Sequence, residues 1–254
     1  QVYINDKPRS LVEHLGTGRH YNINSKSGKL QLLFAEHTNS NDIYNTDISC
    51  YMDNMESLSR MSQPYVVIAP SYMVYSIDFN QFIHTHIDSG ADITLLYHAV
   101  DNAKEAYLTC NVLDLNRQKG VQAIEANHGN KKNQNIYMDT CIMKTELFIS
   151  LVKEAKKLSS MYTLTDVIND KCETLDIRGV AHKGFFASVT DFPSYYKANM
   201  DLLNYKAAQE LFHEDWPIYT RTNDSCPTQY FDSAEVKNSV ISNGCQIEGT
   251  VENS

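Results

Sequence analysis

The residues best placed to do chemistry follow a short apolar run. Val66-Val67-Ile68-Ala69 is too short for a helix and lies between Pro64 and Pro70, which predicts a strand buried on both faces, as in a parallel sheet covered by helices. Ser71 to Ile77 form the loop that follows. Asp78-Phe79-Asn80-Gln81 then sets an acid three residues before a Gln, a helix N-cap signature. Phe82, Ile83 and Ile87 recur at helical spacing until Gly90 stops the helix. In open α/β sheets ligands sit at the carboxyl ends of strands, so chemistry is expected at the 71–77 loop.

Other chemical candidates are weaker. His84 and His86 suggest a metal pair, but two residues apart on a helix they point about 200° apart and cannot share an ion; metal pairs on helices need i, i+4 spacing. Gly16-Thr17-Gly18 lacks the third glycine and the following Lys-Ser/Thr of a phosphate loop, so it reads as a surface turn before a strand. The six cysteines (Cys50, Cys110, Cys141, Cys172, Cys226, Cys245) form no Cys-x-x-Cys and fit neither a zinc site nor a disulfide framework. Reduced structural thiols in a cytoplasmic protein are expected. A net charge of −9 over 254 residues argues against a broad nucleic-acid surface, while leaving room for a local basic pocket. No apolar run is long enough to span a membrane.

These positions need a frame. Ile48, Tyr51, Met52, Met55 and Leu58 predict one helix over 45–60 with a core-facing stripe. Residues 92–98 read as a strand. Residues 107–115 and 121–126 read as a hairpin joined by Asn116 to Gly120. Residues 136–143 form a further strand, followed by an amphipathic helix through Leu147, Phe148, Leu151, Val152, Ala155 and Leu158, with Lys153, Lys156 and Lys157 on its solvated face. Near the end, Ile241 and Ile247 stand six apart with Gly244 and Gly249 at turns, a weak hexapeptide signal.

Taken together, the segments resemble the ADP-glucose pyrophosphorylase (glucose-1-phosphate adenylyltransferase) family along essentially the whole chain. Tyr75, Asp78 and Phe79 fit its Ser-Gly-Asp-His-x-Tyr-x-Met-Asp-Tyr loop. Residues 198–203 keep Ala-Asn-Met-Asp-Leu-Leu, Trp216-Pro217-Ile218-Tyr219-Thr220 matches its linker, and Pro227-Thr228-Gln229-Tyr230 follows as in the family. Residues 237–245 and 251–254 resemble the opening of its left-handed β-helix. The resemblance implies an α/β nucleotidyltransferase domain with a mostly parallel sheet flanked by helices over 1–205, a linker over 206–230 and the first β-helix coil over 231–254. It also implies a chain lacking the family's first strand and glycine-rich loop, cut at both ends.

Active members join ATP and glucose 1-phosphate into ADP-glucose and release pyrophosphate, with magnesium on two carboxylates. The resemblance puts Tyr72 and Ser188 at those two positions, and Asn127 where the sugar-phosphate lysine stands. Asn45 replaces a glycine that opens a helix beside the nucleotide, and Asp139 falls where a glycine lets the sugar approach. A metal supplies several kcal/mol of transition-state stabilisation, so losing both ligands costs on the order of 10³-fold in rate. The chain therefore resembles most the degenerate D-type regulatory subunit. That implies no cofactor of its own, magnesium in a catalytic partner subunit, a hetero-oligomer (a tetramer by analogy) and a sugar-phosphate or nucleotide effector, with no nucleic-acid or membrane partner. Ser71, Asp78, Glu125, Asn127 and Asp139 are the remaining ligand-binding candidates. Two rival readings stay open: an active transferase with metal ligands shifted to Asp78, Glu125 or Asp139, and a stand-alone sugar-phosphate or nucleotide sensor.

Overall fold

The frame is set by one long strand with neighbours on both sides. The computed structural model describes residues 1–5, 7–16, 18, 28–36, 42–219 and 224–254. In chain order the elements are β1 (Val2–Ile4), α1 (Pro8–Leu15), β2 (Leu32–Phe34), α2 (Asp47–Asp53), α3 (Met55–Ser59), β3 (Tyr65–Ile68), β4 (Met73–Tyr75), α4 (Phe79–Ser89), β5 (Ile93–Val100), β6 (Asn111–Leu115), β7 (Val121–Ala126), β8 (Gln134–Lys144), α5 (Thr145–Leu158), α6 (Leu164–Asp170), β9 (Ile177–Ala181), β10 (Phe186–Ser188), α7 (Phe192–Asp201), α8 (Tyr205–Leu211), β11 (Gln229–Tyr230), β12 (Glu235–Lys237), β13 (Gln246–Ile247) and β14 (Thr250–Glu252). By contacts they fall into two units. The first holds residues 1–71 and 77–183, the second residues 72–76 and 184–254. The division thus comes at Lys183/Gly184, upstream of the segment expected as a linker.

In the first unit six strands form one sheet in the order β7-β6-β8-β5-β9, with β3 also paired to β8. The sheet departs from the mostly parallel expectation. β3, β5, β6 and β9 run one way and β7 and β8 the other, and because β8 lies between β5 and the β3/β6 side, only β5 and β9 are parallel neighbours. Only the β6–β7 pair is local, a short hairpin that favours antiparallel pairing; β8 runs antiparallel to β3, β5 and β6 through pairings between segments distant in sequence or across a loop. β3 is half-buried along its length rather than buried on both faces. One face of the sheet packs Ile93, Leu95, Tyr137, Cys141 and Met143 against Phe148, Leu151 and Val152 of α5 and Val167 and Ile168 of α6, an apolar burial of about 1.5–3 kcal/mol per large side chain.

Local sequence explains most of the boundaries. Asp78 caps α4 by accepting from the Asn80 and Gln81 backbone N–H groups at 2.8 and 3.4 Å, and Gly90 ends it at φ 67°. Its buried stripe differs from the apolar one expected. Phe82 and His86 face inward while Ile87 is 46% exposed. The single helix expected over 45–60 is two, because the Asn54 side chain donates to the carbonyls of Cys50 and Phe34, both at 2.9 Å, and opens the ladder there. The hairpin forms as expected, with Asn116 accepting from the Gln118 and Gly120 N–H groups, but the left-handed residue is Lys119 rather than the glycine. The Lys153, Lys156 and Lys157 face of α5 is exposed.

The second unit carries an antiparallel pair, β4 with β10, and two short parallel pairs, β11 with β13 and β12 with β14. The parallel pairs make one solenoid-like coil. Glycines at φ 80° (Gly244) and 104° (Gly249) turn its corners, conformations that only glycine adopts cheaply. α7 opens on a reciprocal cap: Asp191 accepts from the Ser194 N–H at 2.8 Å and Ser194 Oγ accepts from the Asp191 N–H at 3.1 Å. Among the described residues no helix is long and apolar enough to cross a membrane.

Candidate functional site

In the second unit the structure brings together two positions far apart in sequence. β4 and β10 pair Tyr75 with Phe186, Val74 with Ala187 and Met73 with Ser188. The Val189 N–H then continues the ladder onto the Tyr72 carbonyl at 2.8 Å. Tyr72 and Ser188 therefore lie within one residue of opposition on neighbouring strands. Ser188 is 7% exposed and Tyr72 is half-buried. Magnesium is held through carboxylates and water oxygens, so a phenol and a hydroxyl at these positions do not fit a magnesium centre built on two carboxylates. The acid nearest in sequence, Asp191, is committed to the α7 cap, and the bonds from the Ser194 side chain and backbone hold its carboxyl below the usual range.

In the first unit the candidates have different fates. Ser71 and Asp78 are exposed, and the Asp78 carboxylate is the α4 cap. Glu125 sits exposed on β7, opposite Val112. Asn127 is a correction to the ligand reading. It is 2% exposed, its amide donates to the carbonyls of Ala103 (2.9 Å), Tyr107 (3.0 Å) and Ala106 (3.3 Å), and its carbonyl accepts from the Gly129 N–H at 3.0 Å. The amide and the carbonyl both serve to tie the 103–110 segment to 127–129, and burial withdraws the side chain from a ligand. Asp139 lies where β8 loses register with β5 between the Leu96–Thr140 and Tyr97–Tyr137 pairs, at φ 43°. An Asp thus occupies a left-handed position that favours glycine, as expected if a family glycine has been replaced there.

Asp139 faces a second carboxyl. Asp47, at the start of α2, accepts from the Ile48 N–H at 2.8 Å and from the Leu164 N–H at 3.1 Å, so it also serves the first turn of α6. Burial, reinforced by the charges of Asp139 and Asp166 and opposed by those two backbone bonds, pushes its carboxyl up to about 6. Tyr137 and Cys141 share a side-chain hydrogen bond beside them, and burial pushes the Cys141 thiol up to about 12. Cys141, Cys110 and Cys50 are buried. Among the described residues no group of three or more His, Cys, Asp or Glu side chains is arranged to hold a metal ion, so Asp78, Glu125 and Asp139 do not form one. The Gly16-x-Gly18 turn falls largely on residues 17 and 19–27, and Thr220 of the linker motif on 220–223, outside the described residues.

The helical histidines part company. His86 is buried against Thr94 Oγ1 (Nδ1 to Oγ1 2.8 Å) and edge-on to Tyr65. His98 and His182, which no sequence motif singled out, stand beside each other with Nδ1 atoms 3.3 Å apart. The signal for that pair was the parallel register of β5 and β9, invisible without the fold.

No family model matches the chain. Individual relatives do. The glycogen biosynthesis protein GlgD of Geobacillus stearothermophilus is 30% identical over 252 residues, 97% of this chain and 62% of that protein. GlgD of Bacillus subtilis is 26% identical over 246 residues, 96% and 61% respectively. Glucose-1-phosphate adenylyltransferase of Thermosipho africanus is 27% identical over 253 residues, 98% and 60%. Along nearly its whole length the chain is similar to these members of the ADP-glucose pyrophosphorylase family, the GlgD proteins among them, and it spans about three fifths of the length of these relatives.

Proposed function

We propose that this chain is part of a non-catalytic regulatory subunit of ADP-glucose pyrophosphorylase acting in glycogen biosynthesis. The observation that carries the reading is the β4/β10 ladder. It brings Tyr72, opposite Val189, to within one ladder position of Ser188, opposite Met73, and neither of the two positions at which the family resemblance calls for a metal carboxylate carries one. Asn127, at the sugar-phosphate lysine position, has been taken over by loop structure. The GlgD relatives, named for glycogen biosynthesis, support the same reading. In this proposal magnesium chemistry belongs to a catalytic partner subunit in a cytoplasmic hetero-oligomer, a tetramer by analogy with symmetric assemblies. A sugar-phosphate or nucleotide effector would meet this chain near Ser71, Asp78 and Glu125. The coil formed by β11 to β14 fits the opening of a left-handed β-helix.

The test is ADP-glucose synthesis from ATP and glucose 1-phosphate by the full-length protein, alone and mixed with its catalytic partner. No synthesis alone and increased synthesis in the mixture is the expected result. Magnesium-dependent synthesis by the protein alone would overturn the proposal in favour of shifted ligands at Asp78, Glu125 or Asp139. Effector binding with no change in a partner's activity would favour the stand-alone sensor.

A further inference from the structure

We propose that His98 and His182 form a chelating site for a zinc-class divalent transition-metal ion, independent of the family's magnesium chemistry. His98 lies near the carboxyl end of β5 and His182 immediately follows β9. The two strands are parallel neighbours in register at Tyr97 and Ala181, and the His182 N–H extends the ladder onto the Tyr97 carbonyl at 2.7 Å. The two histidines are therefore cross-strand neighbours on one face, held by the central sheet. Their rings are tilted by 47° with centroids 5.5 Å apart.

The two Nδ1 atoms are 3.3 Å apart and share a proton in this structure, and the same separation suits chelation once a metal ion displaces that proton. Two metal–nitrogen bonds of about 2.0–2.1 Å at a tetrahedral angle hold their nitrogens roughly 3.3 Å apart. Imidazole nitrogens suit zinc, copper and nickel, whereas magnesium takes oxygen ligands. His182 is 8% exposed and His98 half-buried, so the pair is anchored on one side and reached from the other. With no third ligating side chain grouped there among the described residues, water completes the coordination.

Titration of the reduced, metal-stripped full-length protein with Co²⁺ tests the site, because cobalt reports its ligands by absorption. The expected result is one saturable equivalent with nitrogen/oxygen ligand-field bands, displaced by Zn²⁺ and unaffected by Mg²⁺. His98→Gln and His182→Gln should each weaken binding by roughly tenfold or more, with unchanged circular dichroism. If the more buried His182 variant fails to fold, the His98 variant decides alone. Absence of saturable binding, thiolate charge-transfer bands that put the ion on cysteines, or unchanged affinity in the folded His98 variant would overturn the assignment. None of these readouts depends on ADP-glucose synthesis, so the site stands or falls apart from the regulatory reading.

Discussion

Asn127 and Ser188 both stand where the family resemblance calls for a ligand group, and the chain treats them in opposite ways. Asn127, in the first unit, is buried in a loop that engages both its amide and its carbonyl. Ser188, in the second, ends a three-residue strand whose partner segment carries Tyr72. In the first unit the polar group at such a position serves the loop. In the second the two positions occupy adjacent places on a paired backbone, with no carboxylate at either. Positions near a packed sheet are recruited for stability, because a polar group buried there must be satisfied or it costs about 1–3 kcal/mol.

The largest effect should come from Asn127→Asp. The replacement keeps the shape and turns the donor that serves three carbonyls into a buried, unpaired carboxylate, so a loss of about 3–5 kcal/mol is expected, read from urea midpoints at constant slope. A loss below about 1 kcal/mol would break the comparison by showing that Asn127 is not structural. The converse variant is Tyr72→Asp combined with Ser188→Asp. If only the ligating atoms are missing, this double variant gains magnesium-dependent stabilisation, about 1.4 kcal/mol at ten times Kd, a rise of roughly 3–6 °C in Tm. No magnesium dependence would mean that the ladder has drifted as well as its side chains.

How much of this was readable beforehand follows from the range of each interaction. The α4 cap at Asp78, its stop at Gly90, the β6–β7 hairpin and the solvated lysine face of α5 are set by residues within a few positions of one another, and each was legible. The sheet's directions were not, because β8 pairs with β3, β5 and β6 through contacts that periodicity does not encode. The break at Asn54 depends on the Phe34 carbonyl, and the His98–His182 pair on the β5–β9 register. The positions of Tyr72 and Ser188 came from the resemblance, and their adjacency from the structure. Asn127 was read as a weakened ligand because its partners Ala103, Ala106 and Tyr107 lie across a loop that no local pattern reveals.

Asp139 offers a finer probe of the first unit. At φ 43° a residue with a Cβ is strained relative to glycine by roughly 1–2 kcal/mol. Asp139→Gly is therefore expected to be more stable than Asp139→Ala by about 1 kcal/mol, measured as the difference in urea midpoint. Equal stabilities would show that the β8 bulge is not a retained glycine position.

The two units should also differ in how they respond to pH, and the first contains opposing terms. Asp47 has a folded pKa of about 6 against an unfolded value of about 3.9. Its contribution is fully present below the unfolded value and is lost as pH rises through 6. Asp47→Asn keeps an oxygen for the Ile48 and Leu164 N–H groups, so it should stabilise the protein by about 1–3 kcal/mol above pH 7 and leave it nearly unchanged near pH 4. His86 works the other way. Burial, helped by the Lys144 charge, lowers its pKa, so its contribution is present above the unfolded value of about 6.5 and is lost as pH falls below it. His86→Gln should flatten the acid side of the stability profile and leave the alkaline side alone. In the second unit Asp191 is depressed by its cap, so its contribution is lost only as pH falls below the ordinary carboxylate range. Stability followed from pH 4 to 8 in the parent and the two variants separates these terms. If Asp47→Asn and His86→Gln leave the profile between pH 5 and 7 unchanged, the buried groups of the first unit do not govern its pH response, and structural recruitment extends to hydrogen bonds but not to charge.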